Sequence, residues 1–212
     1  MFILNVSKSN FQEVKWMGNM IKQQKQIQRF LTDEFGKEKG NLLFEKESEI
    51  LNTIIIQTTG KTKNQRKTLN QTIFPRIAMY KTFLNEEFFR DKANKYMRKY
   101  MLEIIAVKKH SSMAKMEKFP GFYHFYSRVF MKIMKTTDLQ VSTQNYDSDF
   151  YDITITKCLW HTACVENDCE ELCSLFCNVD DITYGGLKKI GFSRTQTLGY
   201  GGSCCDFHFY RM

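Results

Sequence analysis

The chain has 212 residues, 42% hydrophobic and 14% aromatic, with 2 prolines and 11 glycines; this suits one domain with an ordinary core and excludes disordered and fibrous classes. Its longest apolar stretches, Ile54 to Ile56 and Met101 to Val107, fall short of the roughly 18 to 20 residues a membrane span needs, and Met1 to Val6 is too short for a signal-peptide core. The net charge of +8 is concentrated in residues 1–140, with 26 Lys and Arg against 13 Asp and Glu, while the remainder holds 5 against 10.

Ser9 followed by Gln12 fits a capping box, and Phe11, Val14, Met17, Ile21, Ile27 and Leu31 then recur at three- and four-residue steps, predicting a helix to about Gly36. Leu43, Glu47, Ile50, Leu51, Ile54 and Ile55 form a second helical face ending at Gly60, after which Lys61 to Lys67 (KTKNQRK) reads as an exposed loop. Pro75 suits the first turn of a third helix carrying Ile77, Tyr80 and Leu84. Phe88 to Val107 and Phe122 to Met134, separated by Pro120-Gly121, complete about five helices. The basic residues Lys92, Lys95, Arg98 and Lys99 read as a solvated face, since no helix-turn-helix, zinc-finger or stacking-platform pattern accompanies them. Nucleic acid is therefore not an expected partner, and neither is a membrane.

Beyond residue 137 the period changes. Leu139, Val141 and Thr143, then Tyr151, Ile153 and Ile155, alternate with polar residues around an NYDSD turn, predicting a hairpin that ends at Cys158. A helix through Glu170, Glu171, Leu172, Leu175 and Phe176 follows, then a short turn or second helix through Asp180, Asp181 and Tyr184. Two strands, Phe192 to Leu198 and Cys205 to Tyr210, flank Gly199-Tyr200-Gly201-Gly202. The fold class is therefore α+β, with N-terminal helices packed on a C-terminal antiparallel sheet in the order strand, strand, helix, strand, strand. Residues 1–137 form a helical part and 138–212 a cysteine-rich part of one integrated domain.

All seven cysteines (Cys158, Cys164, Cys169, Cys173, Cys177, Cys204, Cys205) lie in that second part. An odd number without a secretion signal argues for free thiols and a cytoplasmic setting. No C-x2-C knuckle is present and His161 is the only histidine among them, so a zinc ribbon is not expected. Cys158 ends a strand, Cys177 ends a helix and Cys205 begins a strand, so the three can meet in a pocket with Asp180 and Asp206 beside them as bases or orienting groups. Cys169 and Cys173 read as small core residues.

The strings ITITKCLWHTACVEND, ELCSLFCNVDD and GFSRTQTLGYGGSCCDFHFYR resemble the L-2-amino-thiazoline-4-carboxylic acid hydrolase family of bacterial proteins. The likeness covers roughly residues 73–211 and is carried by Cys158, by Leu175-Phe176-Cys177 with Asp180, and by Gly201, Gly202, Cys205, Asp206 and Phe207. It implies hydrolysis of a C–N bond in a small cyclic amidine, a thiazoline ring opening to a carbamoyl-cysteine product. On that reading Cys177 is the candidate nucleophile near Asp180 and His161, with Cys158 and Cys205 as alternatives. Asp180 or Asp206 handles protons, and Arg194 holds the substrate carboxylate with Gly201 and Gly202 nearby.

A more distant likeness, to the 4-vinyl-reductase domain, implies a ligand- or metal-binding module without turnover. No cofactor is expected for the hydrolase; the trio Cys158, Cys177 and Cys205 is compatible with zinc or another metal. The expected partner is a small-molecule substrate, and a homo-oligomer is compatible with the sequence.

Overall fold

The structure, a computed structural model, describes residues 8–86 and 90–212, with side chains from Lys22 onward. The side chains of Ser9, Phe11, Gln12, Val14, Met17 and Ile21, on which part of the first helix was read, lie outside those described, as does Phe88. The chain divides into two compact units, residues 1–88 and 89–212.

The first unit holds α1 (Lys8–Phe35), α2 (Lys37–Gln57), α3 (Lys63–Thr68) and α4 (Phe74–Asn85). α1 lies along α2, and α2 along α4. Ile27, Leu31, Leu43, Leu51, Ile54 and Ile77 are buried, as their helical spacing predicts. Glu47 is buried with them and accepts a hydrogen bond from Gln24 Nε2 at 3.2 Å. Loss of water pushes its carboxyl up to about 7, against the hydrogen bonds of Gln24 and Ser48.

The expected loop at Lys61 to Lys67 is corrected here: Lys63–Thr68 is helical. Thr62 and Gln65 form a reciprocal capping box, so two otherwise unmet N–H groups are satisfied locally and the basic run can begin a helix. The helix continues through a π-helical stretch, Leu69–Ile73, into α4. Pro75, which has no N–H to give, sits in the first turn of α4.

The second unit begins with α5 (Arg90–Arg98), a π-helical stretch Lys99–Ala106 and α6 (Val107–Met116), followed by α7 (Phe122–Thr136). Next come β1 (Gln140–Tyr146), β2 (Phe150–Cys158), α8 (Leu159–Glu166), α9 (Cys173–Tyr184), β3 (Ile190–Ser193) and β4 (Cys205–Arg211). The strands form one antiparallel sheet in the order β1-β2-β4-β3. The protein is thus α+β, helices first and sheet last. Its hairpin turn is set by Asp147, whose Oδ1 accepts the N–H of Asp149 at 2.7 Å and of Phe150 at 3.0 Å.

Register places Ile155 opposite Cys205, Ile153 opposite Phe207 and Tyr151 opposite Phe209, so all six share the buried face of the sheet. Phe130 of α7 meets Tyr151 and Phe209 edge-on, at 6.0 and 5.4 Å between ring centroids, and Phe122 and Tyr123 close the same core. α9 packs on β3, on α6 and on the π-helical stretch before it.

Two strand readings are corrected. β1 is turned the other way from its reading: Val141, 58% exposed, and Thr143 face outward while Gln140, Ser142 and Gln144 take the half-buried face, and the extra residue at the register shift is Thr156 of β2. The third strand ends at Ser193, because Asp206 takes the N–H groups of Thr195 and Gln196 out of the ladder. Among the described residues no helix is long and apolar enough to cross a membrane.

Candidate active site

The site is built on one face of α9. At 3.6 residues per turn, Cys173, Cys177, Asp180 and Tyr184 stack along one side of the helix. Here one reading is corrected. Cys177 does not end a helix: α9 runs from Cys173 to Tyr184, so Cys177 lies one turn in from the N-terminal end. Cys173, the first residue of α9, is buried at 2% exposed, as read for a small core residue.

Cys164, from α8, lies near this face, and the Cys169 thiol donates to the Cys164 carbonyl at 3.5 Å. All seven cysteines are free. The neighbouring Cys164 and Cys177 hold Cys173 below the ordinary thiol range; burial opposes this and the charge of His161 adds to it. Cys177 moves the other way, raised first by Cys173 and then by burial. Cys173 is 2% exposed while Cys177 is only partly buried, so Cys177 is the more exposed residue of this pair.

Cys158 and Cys205 flank the row from the ends of β2 and β4. Burial pushes Cys158 up to about 12, against the amide N–H groups of His161 and Trp160 at the start of α8. Cys205 accepts the Leu198 N–H at 3.4 Å, and burial raises it against that bond and the charge of Arg194. Cys158, Cys177 and Cys205 each feel the charge of Cys173.

Arg194 lies across α9. Its Nη2 donates to the Cys177 carbonyl at 3.0 Å and pairs with Asp181, and its guanidinium rests 5.9 and 5.8 Å from the rings of Phe192 and Phe207. The side chain is 9% exposed, yet Nη1 is buried without a hydrogen-bond partner. Leaving such a donor unmet costs about 1–3 kcal/mol, so it is a standing offer to an acceptor. Asp180 is partly buried; loss of water pushes it up to about 6, against the charges of Lys109 and Arg194. Its charge is felt by Tyr184 and Tyr126, whose hydroxyls share a 2.8 Å hydrogen bond.

The remaining expected site residues shape the loop between β3 and β4. Asp206 accepts the N–H groups of Thr195 at 3.0 Å and Gln196 at 2.8 Å, and the Thr195 hydroxyl. Partial burial works against its charge, but these bonds outweigh it and hold the carboxyl below its ordinary value. Gly201, at φ +80, supplies the left-handed turn that ends the short helical turn Leu198–Tyr200, and Gly202 fits against Gln196 and Thr197. Sequence reasoning missed Gly199 and Thr197. A Cβ at Gly199 would stand 2.8 Å from Cys177 Sγ, which is how closely this loop covers the thiol. The four-residue step from Cys173 to Cys177 was the available signal for the row.

Among the described residues no group of three or more His, Cys, Asp or Glu side chains is arranged to hold a metal ion. No curated protein and no solved structure is significantly similar to the chain. The model of the L-2-amino-thiazoline-4-carboxylic acid hydrolase family matches residues 66–209, a span that includes the whole thiol row, Asp180, Arg194 and Asp206. The chain belongs to the L-2-amino-thiazoline-4-carboxylic acid hydrolase family.

Proposed function

We propose that the protein opens a ring C–N bond in a small cyclic amidine bearing a carboxylate, with Cys177 as nucleophile. The observation that supports this most is the shared face of α9: Cys173, Cys177 and Asp180 in line, with the buried, unpartnered Nη1 of Arg194 beside them. The family's name supplies the hydrolase class and the thiazoline carboxylate as the first substrate to test.

Arg194 Nη1 takes the substrate carboxylate, and the amidine carbon rests over Cys177. The lowered Cys173 thiol takes the proton of Cys177 as a cationic amidine beside Cys177 favours the negative charge there. The Cys177 sulfur adds to the amidine carbon. Asp180, kept partly protonated by burial, gives its proton to the ring nitrogen as the C–N bond breaks, and recovers one from the exocyclic nitrogen. Water then adds to the same carbon, the bond to Cys177 breaks, and the thiol is restored. The product is a carbamoyl-cysteine, and the sum is substrate plus one water.

The test follows ring opening of 2-aminothiazoline-4-carboxylate and of the same ring without its carboxylate. The wild type opens the first and handles the second poorly through a raised KM. Cys177→Ser loses several orders of magnitude in turnover at an unchanged melting temperature, because a hydroxyl is far less ionised than a thiol. Binding of the ring without turnover by the fully reduced wild type overturns the hydrolase reading in favour of a ligand-binding module.

A further inference from the structure

α7 is apolar on two sides, and the sheet covers only one of them. Residues four apart in a helix line up in parallel stripes. Phe122, Tyr126, Phe130 and Met134 form the stripe that packs on the sheet. The neighbouring stripe, Phe125, Val129 and Ile133, is left to solvent, at 64, 43 and 51% exposed. The stripe beyond that, His124, Arg128 and Lys132, is exposed as well. Single exposed apolar residues need no explanation, but three on successive turns of one helix mark a contact surface.

We infer that this stripe docks on an anionic lipid bilayer, α7 lying flat in the headgroup layer with Phe125, Val129 and Ile133 inserted and Arg128 and Lys132 at the phosphates. Charge names the occupant. α7 contains no Asp or Glu, and among the described residues Arg128 and Lys132 make no ion pair. Glu117, the nearest carboxyl before the helix, is buried on the amide N–H groups of Lys188 and Lys189. The turn between them adds an exposed Lys118 and Phe119. The apolar stripe is thus bordered by cations alone.

A bilayer surface meets both parts of this face at once, with hydrocarbon for the stripe and phosphate for its border. The long stems of Arg128 and Lys132 let their charges stay at the headgroups while the apolar side chains go deeper. A second copy of the chain fits less well, because a two-fold contact through this stripe sets Arg128 and Lys132 against their own copies. The 15 residues of α7 reach about 22 Å, too short to cross about 30 Å of hydrocarbon. Lying along the surface needs no such length.

Binding to vesicles is measured without turnover, so failure here leaves the hydrolase reading untouched. The full-length protein is sedimented with sucrose-loaded phosphatidylcholine vesicles, with and without phosphatidylserine, at near-physiological ionic strength. It sediments with the anionic vesicles and stays in solution with the neutral ones. Phe125→Ser and Ile133→Ser each weaken binding about tenfold, and Arg128→Gln and Lys132→Gln each about fivefold. Ile56→Ser, which removes an apolar side chain 79% exposed on α2, changes nothing. All five positions are exposed, so the melting temperature is retained; if one variant fails to fold, the others decide. Three outcomes overturn the assignment. The first is no sedimentation with anionic vesicles. The second is binding that both serine variants leave intact, which reduces it to the net positive charge of the chain. The third is a dimer in analytical ultracentrifugation that Phe125→Ser dissociates, which gives the face to a second copy.

Discussion

Gly199 and Cys177 face each other so closely that a single added carbon does not fit: a Cβ at 199 would lie 2.8 Å from Cys177 Sγ and 3.0 Å from the Cys173 carbonyl. The loop between β3 and β4 therefore covers the thiol row with bare backbone. Gly199→Ala forces either the loop or α9 to shift. An overpacked contact of this kind costs about 1–3 kcal/mol, and at this chain length each kcal/mol lowers the melting temperature by about 2–4 °C. Ring opening falls with it, because the displaced atom is Cys177 Sγ. A Gly199→Ala protein with unchanged melting temperature and unchanged turnover contradicts this packing.

Asp206 was read from sequence as a proton handler, and its bonds suit a different task. Asp206→Ala removes three hydrogen bonds from Thr195 and Gln196, so the amides at 195 and 196 exchange with solvent much faster and stability falls by about 1–3 kcal/mol. Asp206→Asn keeps a carbonyl that accepts both N–H groups and retains most activity. If the carboxyl moves protons in catalysis, Asn fails as badly as Ala, and the two variants compared by hydrogen exchange and turnover separate the roles.

Asp180, held at about 6 by burial, donates its proton only in the neutral form. The log of kcat/KM therefore falls with a slope near −1 as pH rises above about 6. Asp180→Asn has a lower, flat profile through that range. A wild-type profile that stays level from pH 5 to 8 removes Asp180 from the acid role.

Glu47 tests burial in the first unit independently of catalysis. Its carboxyl moves from 4.5 to about 7 on folding, so between those values the folded chain binds the proton and the unfolded chain releases it. Stability is greatest below about 4.5, declines as pH rises through 7, and the loss amounts to about 3 kcal/mol. Glu47→Gln keeps a partner for Gln24 without the charge. In denaturant titrations at pH 5 and pH 8, the variant gains on the wild type by roughly that amount at the higher pH alone.

The ends of β2 and β4 were legible because alternation at period two is a local property: Tyr151, Ile153 and Ile155 lead to Cys158, and Phe209 and Phe207 lead back to Cys205. The family resemblance was legible for the same reason, since its motifs are contiguous. The length of α9 was not. Asn178, Asp180 and Asp181 look like turn residues in one dimension, and what keeps them helical includes the pairing of Asp181 with Arg194, from beyond β3. Gly199 carried no signal either, as its constraint is a sulfur atom on a helix it does not adjoin.

The stripe Cys173, Cys177, Asp180 and Tyr184 puts the proposed chemistry on a single rigid part. Substitutions around it can be absorbed one at a time, but an insertion or deletion of one residue inside α9 rotates everything beyond it by about 100°. Placed between Cys177 and Asp180, it leaves the thiols at the mouth and swings Asp180 and Tyr184 away together. The helix therefore acts as a ruler whose units are turns: changes in its length are tolerated only outside Cys173–Tyr184, while the loops on either side remain free to lengthen and to reshape what the site admits.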